Sequence, residues 1–224
     1  MIPKNMHPLP PTFFARRTLE VAPDLLGTLL VHENALGERL VGRVVEVEAY
    51  TQDDPAWRSW GIVDAATGLM VPEGRGLGFF GKPGTAYVYL CYGRYWMLNV
   101  VTEPEGRAGC VFIRAVEPLE GEHAMWGRRP AARRVVDLTN GPGKFSQAFD
   151  IDRRFHGQSL TAPPLYFAED EEKRDWPIAT SARIGLLFGI DRPYRFFLKG
   201  HRFVSPGVPS DVAARVRRVK ERGR

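Results

Sequence analysis

Residues 42–50 read GRVVEVEAY, and the alternation in this stretch sets the fold class. A β-strand turns successive side chains to opposite faces. Val45, Val47 and Ala49 therefore share one face, and Glu46, Glu48 and Tyr50 the other. The first face is that of a sheet packed on a core; the second carries two carboxylates and a phenol in a row and builds no apolar layer. At ~3.3 Å rise per residue, the Cα atoms of Glu46 and Glu48 stand roughly 6.6 Å apart. Carboxyl groups at that range suit the acid and base of an inverting glycoside hydrolase. They equally suit an edge or solvated strand whose carboxylates pair with arginines such as Arg43 or Arg114.

Outward from this strand, residues 28–32 form a second apolar run. A polar stretch containing Gly37 joins it to residues 40–50, which reads as a β-hairpin. Before it, Thr18 caps a short helix that runs to Leu25 and Leu26, ends at Gly27 and is limited by Pro23. Glycines and prolines punctuate residues 51–84 so densely that a long irregular segment is expected, of the kind that carries function. Two runs rich in Tyr and Val, 85–92 and 95–101, flank Gly93 and Arg94 and predict a second hairpin. Residues 109–116 predict a further strand, with a helix beginning over 117–120. Gly141, Pro142 and Gly143 precede a helix over 144–149, and 194–198 and 202–204 predict closing strands. The result is one α+β domain with a curved, mainly antiparallel sheet and flanking helices.

The second hairpin is unusually aromatic, with Tyr87, Tyr89, Tyr92, Tyr95 and Trp96 in the run YVYLCYGRYWMLN (87–99). Tyr92 stands immediately before the turn, where a single subunit offers little to pack on. A ring there is suited to wedging between stacked bases or to lining a ligand, and equally to an ordinary protein interface.

Composition narrows the classes. The 224 residues are 44% apolar, 25% charged and 11% aromatic, enough for one ordinary domain with a real core. Two distant cysteines, Cys91 and Cys110, exclude a disulfide scaffold and make no metal site. No apolar run approaches the ~20 residues that cross a bilayer, and residues 1–11 lack the apolar core of a signal peptide. A cytoplasmic protein with reduced thiols is expected. The net charge of +5 equals that of the last ten residues, where six basic groups face Glu221 alone, so the rest of the chain is neutral. Arg128, Arg129, Arg133 and Arg134 nevertheless cluster, apart from an acidic run at 169–172.

Ordered blocks then bring a family into view. FFARRTLEVAPDLLG (13–27), GRVVEVEAY (42–50), Asp54-Pro55-Ala56, GKPGTAYVYLCYGRYWMLNVV (81–101), CVFIRAVEPLEG (110–121), LTNGPGKFSQAFDI (138–151), and RIGL and RFFLKG near the end together resemble the alkyladenine, or 3-methyladenine, DNA glycosylase family. The resemblance covers residues 12–205, between an irregular arm (1–11) and a basic tail (206–224). It implies a monomeric enzyme without metal or cofactor. Such an enzyme flips an alkylated or deaminated purine out of duplex DNA and cuts its N-glycosidic bond with an activated water, without cleaving the strand.

By position in these blocks, the resemblance makes Glu48 the catalytic carboxylate and Arg114 its partner. Tyr50, Ala56, Arg58, Tyr89 and Asn99 would form the base pocket, with Asn99 rejecting guanine by crowding its 2-amino group. Tyr92 would be the wedge of a protruding, DNA-inserting hairpin, and Arg94 and Tyr95 would sit beside it against the DNA. Glu46 would be structural. The chain departs from the family pattern where a stacking histidine after a small residue is usual: here Arg58 follows Trp57. An arginine plane stacks on bases, but its fixed charge would shift preference from cationic alkylated purines toward neutral ones such as hypoxanthine. Alternatively Trp57 or Trp60 supplies the stack and Arg58 faces a phosphate. The loop 64–78 also differs from the pattern, with Gly76 where an asparagine is common.

Overall fold

A computed structural model describes residues 6–34, 37–172 and 175–209. Two short helices, α1 (Pro11–Phe14) and α2 (Thr18–Leu25), lead into β1 (Leu29–Glu33) and the long β2 (Arg39–Thr51). Two 3₁₀ helices, Pro55–Trp60 and Gly74–Phe80, cross the Gly- and Pro-rich segment. The aromatic hairpin follows as β3 (Ala86–Cys91) and β4 (Tyr95–Val101), then β5 (Gly109–Glu120). After helices α3 (Glu122–Arg128), α4 (Val136–Thr139) and α5 (Pro142–Ala148) come β6 (Leu165–Ala168), β7 (Ile178–Ser181) and β8 (Arg195–Leu198).

All strand pairs are antiparallel, in the order β3-β4-β5-β2-β1-β6, with β8 joining β2 and β7 joining β8. β2 is the centre of the sheet. β5 runs along one edge of it, while β1 covers residues 39–43 and β8 residues 46–48 on the other edge. Glu46 and Glu48 therefore lie on an interior strand and are fully buried. This overturns the solvated-edge reading of the strand. Arg43 pairs with Glu117 and Asp170 instead of the strand's own glutamates.

The alternation is also interrupted. Register shifts on either side of Glu46 mark a β-bulge against β5. Val44, Val47 and Ala49 face the main core with Leu30 and Ile113, whereas Val45 packs in a separate cluster with Ala115, Leu198 and Phe203. The expectation that Val45 shares a face with Val47 fails for that reason. Helices α2 and α5 cover the core face, α2 on β2 and β5, α5 on β4 and β5. Elsewhere a second, aromatic cluster of Trp57, Met70, Phe79 and Tyr87 is joined by Tyr50, Trp60 and Tyr89.

Several boundaries differ from the sequence reading. Thr18 is the first residue of α2, not its cap, and its hydroxyl and amide both donate to Glu103 Oε1. β5 continues through Pro118 to Glu120, because β2 pairs with it as far as Val41, so the helix begins only at Glu122. Pro142 opens α5, where its missing N–H costs no hydrogen bond. Residues 202–204 form no strand; Phe203 is instead buried in the cluster with Val45. Of the expected arm, residues 1–5 lie outside the described residues, while Pro8 bridges Ala168 and Leu9 is buried. Residues 210–224, most of the basic tail, also lie outside the described residues.

Helix α5 is seated directly against the aromatic hairpin. A Cβ on Gly143 would stand 2.8–2.9 Å from the ring and Cβ of Tyr95, closer than side chains approach. Gly143→Ala is expected to lower stability by about 1–3 kcal/mol through overpacking, which urea denaturation measures.

Candidate active site

The sheet centre and the 3₁₀ helix at Pro55–Trp60 enclose a cavity of about 370 Å³. β2 contributes Glu48 and Tyr50, β3 Tyr89, β4 Asn99, and β5 Phe112 and Arg114. The 3₁₀ helix adds Ala56, Trp57 and Trp60, and residues 184–187 close the remaining side. Aromatic rings form a large part of these walls: Trp57 stands 5.4 Å from Tyr50, and Trp60 meets Tyr89 edge-on at 5.1 Å between ring centroids.

Among the described residues that line the cavity, Glu48 is the one carboxylate. Its Oε1 accepts hydrogen bonds from the Ile184 N–H at 2.7 Å and pairs with Arg114 Nη1 at 3.2 Å, and its Oε2 accepts from the Tyr50 hydroxyl at 2.9 Å. Burial, reinforced by the neighbouring Glu48 charge, pushes the Tyr50 phenol well above its ordinary value. Tyr50 therefore stays a hydrogen-bond donor at neutral pH. Glu46 has a different setting. Its Oε1 accepts from Arg114 Nε (2.7 Å), Arg195 Nε (2.8 Å) and the Ser205 hydroxyl (2.9 Å), and its Oε2 from the Ser205 N–H (2.6 Å). It does not line the cavity. Burial opposes the charge on Glu46, yet Arg114 and Arg195 outweigh it and hold the carboxyl below its ordinary value.

Asn99 is fixed at both ends of its amide. Nδ2 donates to the Tyr87 carbonyl at 3.2 Å, and Oδ1 accepts from the Cys110 thiol at 3.6 Å. The hairpin tip stands at the cavity mouth. Tyr92 is 92% exposed with φ of 53° and Gly93 follows at 64°, the positive dihedrals that suit a tight hairpin turn. A tyrosine in that left-handed conformation costs about 1–2 kcal/mol, a local strain of the kind that gathers at working sites. Tyr92 also borders a groove of about 800 Å³ lined by Arg94, Tyr95, Arg129 and Lys144.

Comparison with known proteins shows the family of the chain. The family model of methylpurine-DNA glycosylase matches residues 12–202. The chain is 55% identical to a protein of Salinibacter ruber over 92% of its own length and all of the relative. It is 45% identical to one of Rhodopseudomonas palustris over 88% of this chain and 90% of that one. A protein of Methanoculleus marisnigri is 40% identical over 88% of this chain and 98% of its own. Each carries the name "Putative 3-methyladenine DNA glycosylase". The chain belongs to the methylpurine-DNA glycosylase family. It is a DNA glycosylase, a hydrolase of N-glycosyl bonds, and its macromolecular substrate is DNA.

Most residues singled out from the sequence meet at one place in this glycosylase: Glu48, Tyr50, Ala56, Tyr89, Asn99 and Arg114 line the cavity, with Tyr92 at its mouth. Arg94 and Tyr95 lie beside the tip on the groove side, the Arg94 guanidinium 5.3 Å from the Tyr95 ring centre. Arg58 does not join them. It is exposed and lines neither cavity, which corrects its placement in the base pocket. In a helix of three residues per turn, positions 57 and 60 share a face, so Trp57 and Trp60 turn inward together and Arg58 turns out. Gly76 is also explained: a Cβ there would lie 2.6 Å from the Val71 carbonyl, so this backbone has no room for an asparagine.

Other parts of the site escaped the sequence reading. Asp54 and Arg183 form a fully buried ion pair behind Tyr50, and Arg195 and Ser205 complete the cage around Glu46. The RIGL block at 183–186 was the available signal for Arg183 and Ile184. Among the described residues no His, Cys, Asp and Glu group is arranged to hold a metal ion, and no helix is long and apolar enough to cross a membrane.

The Glu46 cage has a pH signature. A folded carboxyl held below its ordinary value of 4.5 contributes stability that is fully present above that pH and is lost as pH falls through the folded value. Glu46→Gln is expected to lose about 3–5 kcal/mol at pH 7, because it leaves buried arginines uncompensated. Its stability should also fall less steeply than wild type below pH 4.5, as urea melts across that range will report.

Proposed function

We propose that this glycosylase starts repair of alkylated purines, with 3-methyladenine the principal base and deaminated purines such as hypoxanthine secondary. The observation that carries the reading is a fully buried carboxylate, Glu48, in an aromatic cavity whose mouth is an exposed tyrosine tip. A base inside a duplex is out of reach, so the target nucleotide must be flipped, at a cost of a few kcal/mol. Tyr92 fills the vacated stack, and Arg94 and Tyr95 contact the flanking backbone.

Inside the pocket Tyr50 and Tyr89 hold the base between rings, and Asn99, with its amide fixed, excludes guanine. Glu48 takes a proton from a water as the water oxygen bonds to the sugar C1′. The N-glycosidic bond breaks, and its electron pair leaves with the base. The carboxylate also stabilises the oxocarbenium-like transition state by its charge. Arg114 and the Ile184 N–H hold Oε1, leaving Oε2, which accepts from the Tyr50 hydroxyl, to receive the proton.

An aromatic cage with Arg58 outside it favours cationic bases. The preference for neutral lesions expected from a stacked Arg58 therefore loses its basis. A sugar hydrolase built on two carboxylates finds no support, since Glu46 is caged away from the cavity. The enzyme acts as a monomer in the cytoplasm, on the nucleoid when bound to DNA.

The test is single-turnover release of 3-methyladenine from dimethyl-sulfate-treated DNA and of hypoxanthine from a duplex with one deoxyinosine. Wild type should release both, 3-methyladenine faster. Glu48→Gln should slow release by about 10²–10⁴-fold while still binding the deoxyinosine duplex. Lesion binding without release by wild type would instead identify a damage-recognition protein. Arg58→His should leave the ratio of the two rates unchanged, and a shift toward 3-methyladenine would return Arg58 to the pocket.

A further inference from the structure

We infer that Arg183 is a positioning residue of this glycosylase, setting two of the donors that hold Glu48, the Ile184 N–H and the Tyr50 hydroxyl; this rests on the reading of Glu48 as the base. Arg183 is fully buried. Nη1 donates to the Ala49 carbonyl at 2.8 Å and to Asp54 Oδ2 at 2.5 Å, while Nη2 donates to Asp54 Oδ1 at 2.8 Å and to the Gly189 carbonyl at 3.2 Å. The fork therefore ties three places together: the backbone of β2 between Glu48 and Tyr50, the start of the 3₁₀ helix, and the loop that follows Arg183 itself.

Each tie reaches Glu48 by one step. The residue after Arg183 is Ile184, whose N–H donates to Glu48 Oε1. The guanidinium carbon also lies 4.4 Å from the centre of the Tyr50 ring, and the hydroxyl of that ring donates to Glu48 Oε2. One planar cation thus sets both the backbone donor on one carboxylate oxygen and the phenol donor on the other. Arg183 itself does not line the cavity, so it acts only through those groups. Asp54 extends the same unit into the pocket wall, because its Oδ1 also accepts from the Ala56 N–H at 3.0 Å.

The space around the pair is closed. A Cβ on Gly189, itself at φ of 65°, would stand 2.8 Å from Arg183 Nη2 and 2.9 Å from Asp54 Oδ1. Glycine at 189 is what lets the loop carbonyl come close enough to accept from the guanidinium. A lysine at 183 would keep the charge but has neither the planar fork for Asp54 and two carbonyls nor a flat face for Tyr50.

The experiment compares wild type, Arg183→Lys, Glu48→Gln and the double variant. It measures single-turnover release of hypoxanthine, affinity for an undamaged duplex, and folding by circular dichroism. Arg183→Lys is expected to slow release about 100-fold, the scale of a small misplacement of catalytic groups, with duplex affinity and the folded spectrum unchanged. In the Glu48→Gln background the same change should alter the rate by no more than about twofold, since the group it positions is already gone. Arg183→Lys at the wild-type rate, or an equal 100-fold loss in the Glu48→Gln background, would overturn the inference. Glu48→Gln at the wild-type rate would instead overturn the reading of Glu48. Should Arg183→Lys fail to fold, Asp54→Asn keeps the acceptor for Ala56 and weakens only the grip on Arg183. A tenfold or greater slowing supports the inference, and an unchanged rate defeats it.

Discussion

The organising interaction of this molecule is Arg114 lodged between two fully buried carboxylates on the neighbouring central strand. Taking these charges out of water is expensive, and such a cluster persists only when the geometry is close and the remaining lone pairs are occupied. Both conditions hold. Arg114 reaches Glu46 through Nε and Glu48 through Nη1, and Arg195 and Ser205 satisfy the rest of Glu46. The two carboxylates that flank Arg114 end in different states: one is caged by donors, and the other opens onto a cavity.

The bulge at Glu46 is the backbone counterpart of that division. An uninterrupted strand places residues 46 and 48 alike, on one face and in one environment. The register shift lets Val45 leave the main core for the Phe203 cluster and lets Glu46 reach Ser205, while Glu48 and Tyr50 keep the regular pleat. β8 makes this possible by covering the edge of β2 that β1 leaves open, and it brings Arg195 with it. The charges near the pocket come out balanced, with Asp54 against Arg183 beyond Tyr50.

The outer parts of the site are built on opposite physics. The cavity walls are rings held by other rings, with Phe79 stacked on Tyr87 at 3.9 Å and Trp57 anchored through its indole N–H to the Thr51 carbonyl at 2.7 Å. The hairpin tip has no such support; Tyr92 projects into solvent from a left-handed backbone position. A rigid receptor and an unsupported probe stand side by side because β3 and β4 belong to the sheet at one end and leave it at the other.

The sequence by itself determined the elements whose signals are local. Period-two alternation identified β2, turn residues identified both hairpins, and the ordered blocks named Glu48, Tyr50, Tyr89, Asn99 and Arg114, each of which lines the cavity. It also carried Tyr92 to the hairpin tip. What depended on residues distant in the chain was decided only by the tertiary structure. The burial of Glu46 rests on Ser205, and the Asp54 pair rests on Arg183, contacts across more than a hundred residues that no local pattern encodes. The short strands β6 and β7 exist because neighbours pair with them, and β5 outruns its proline because β2 does. Arg58 was misplaced for a related reason. Counting along the chain aligned it with a stacking residue, but the three-residue turn of a 3₁₀ helix sends Trp57 and Trp60 inward and leaves the arginine in solvent.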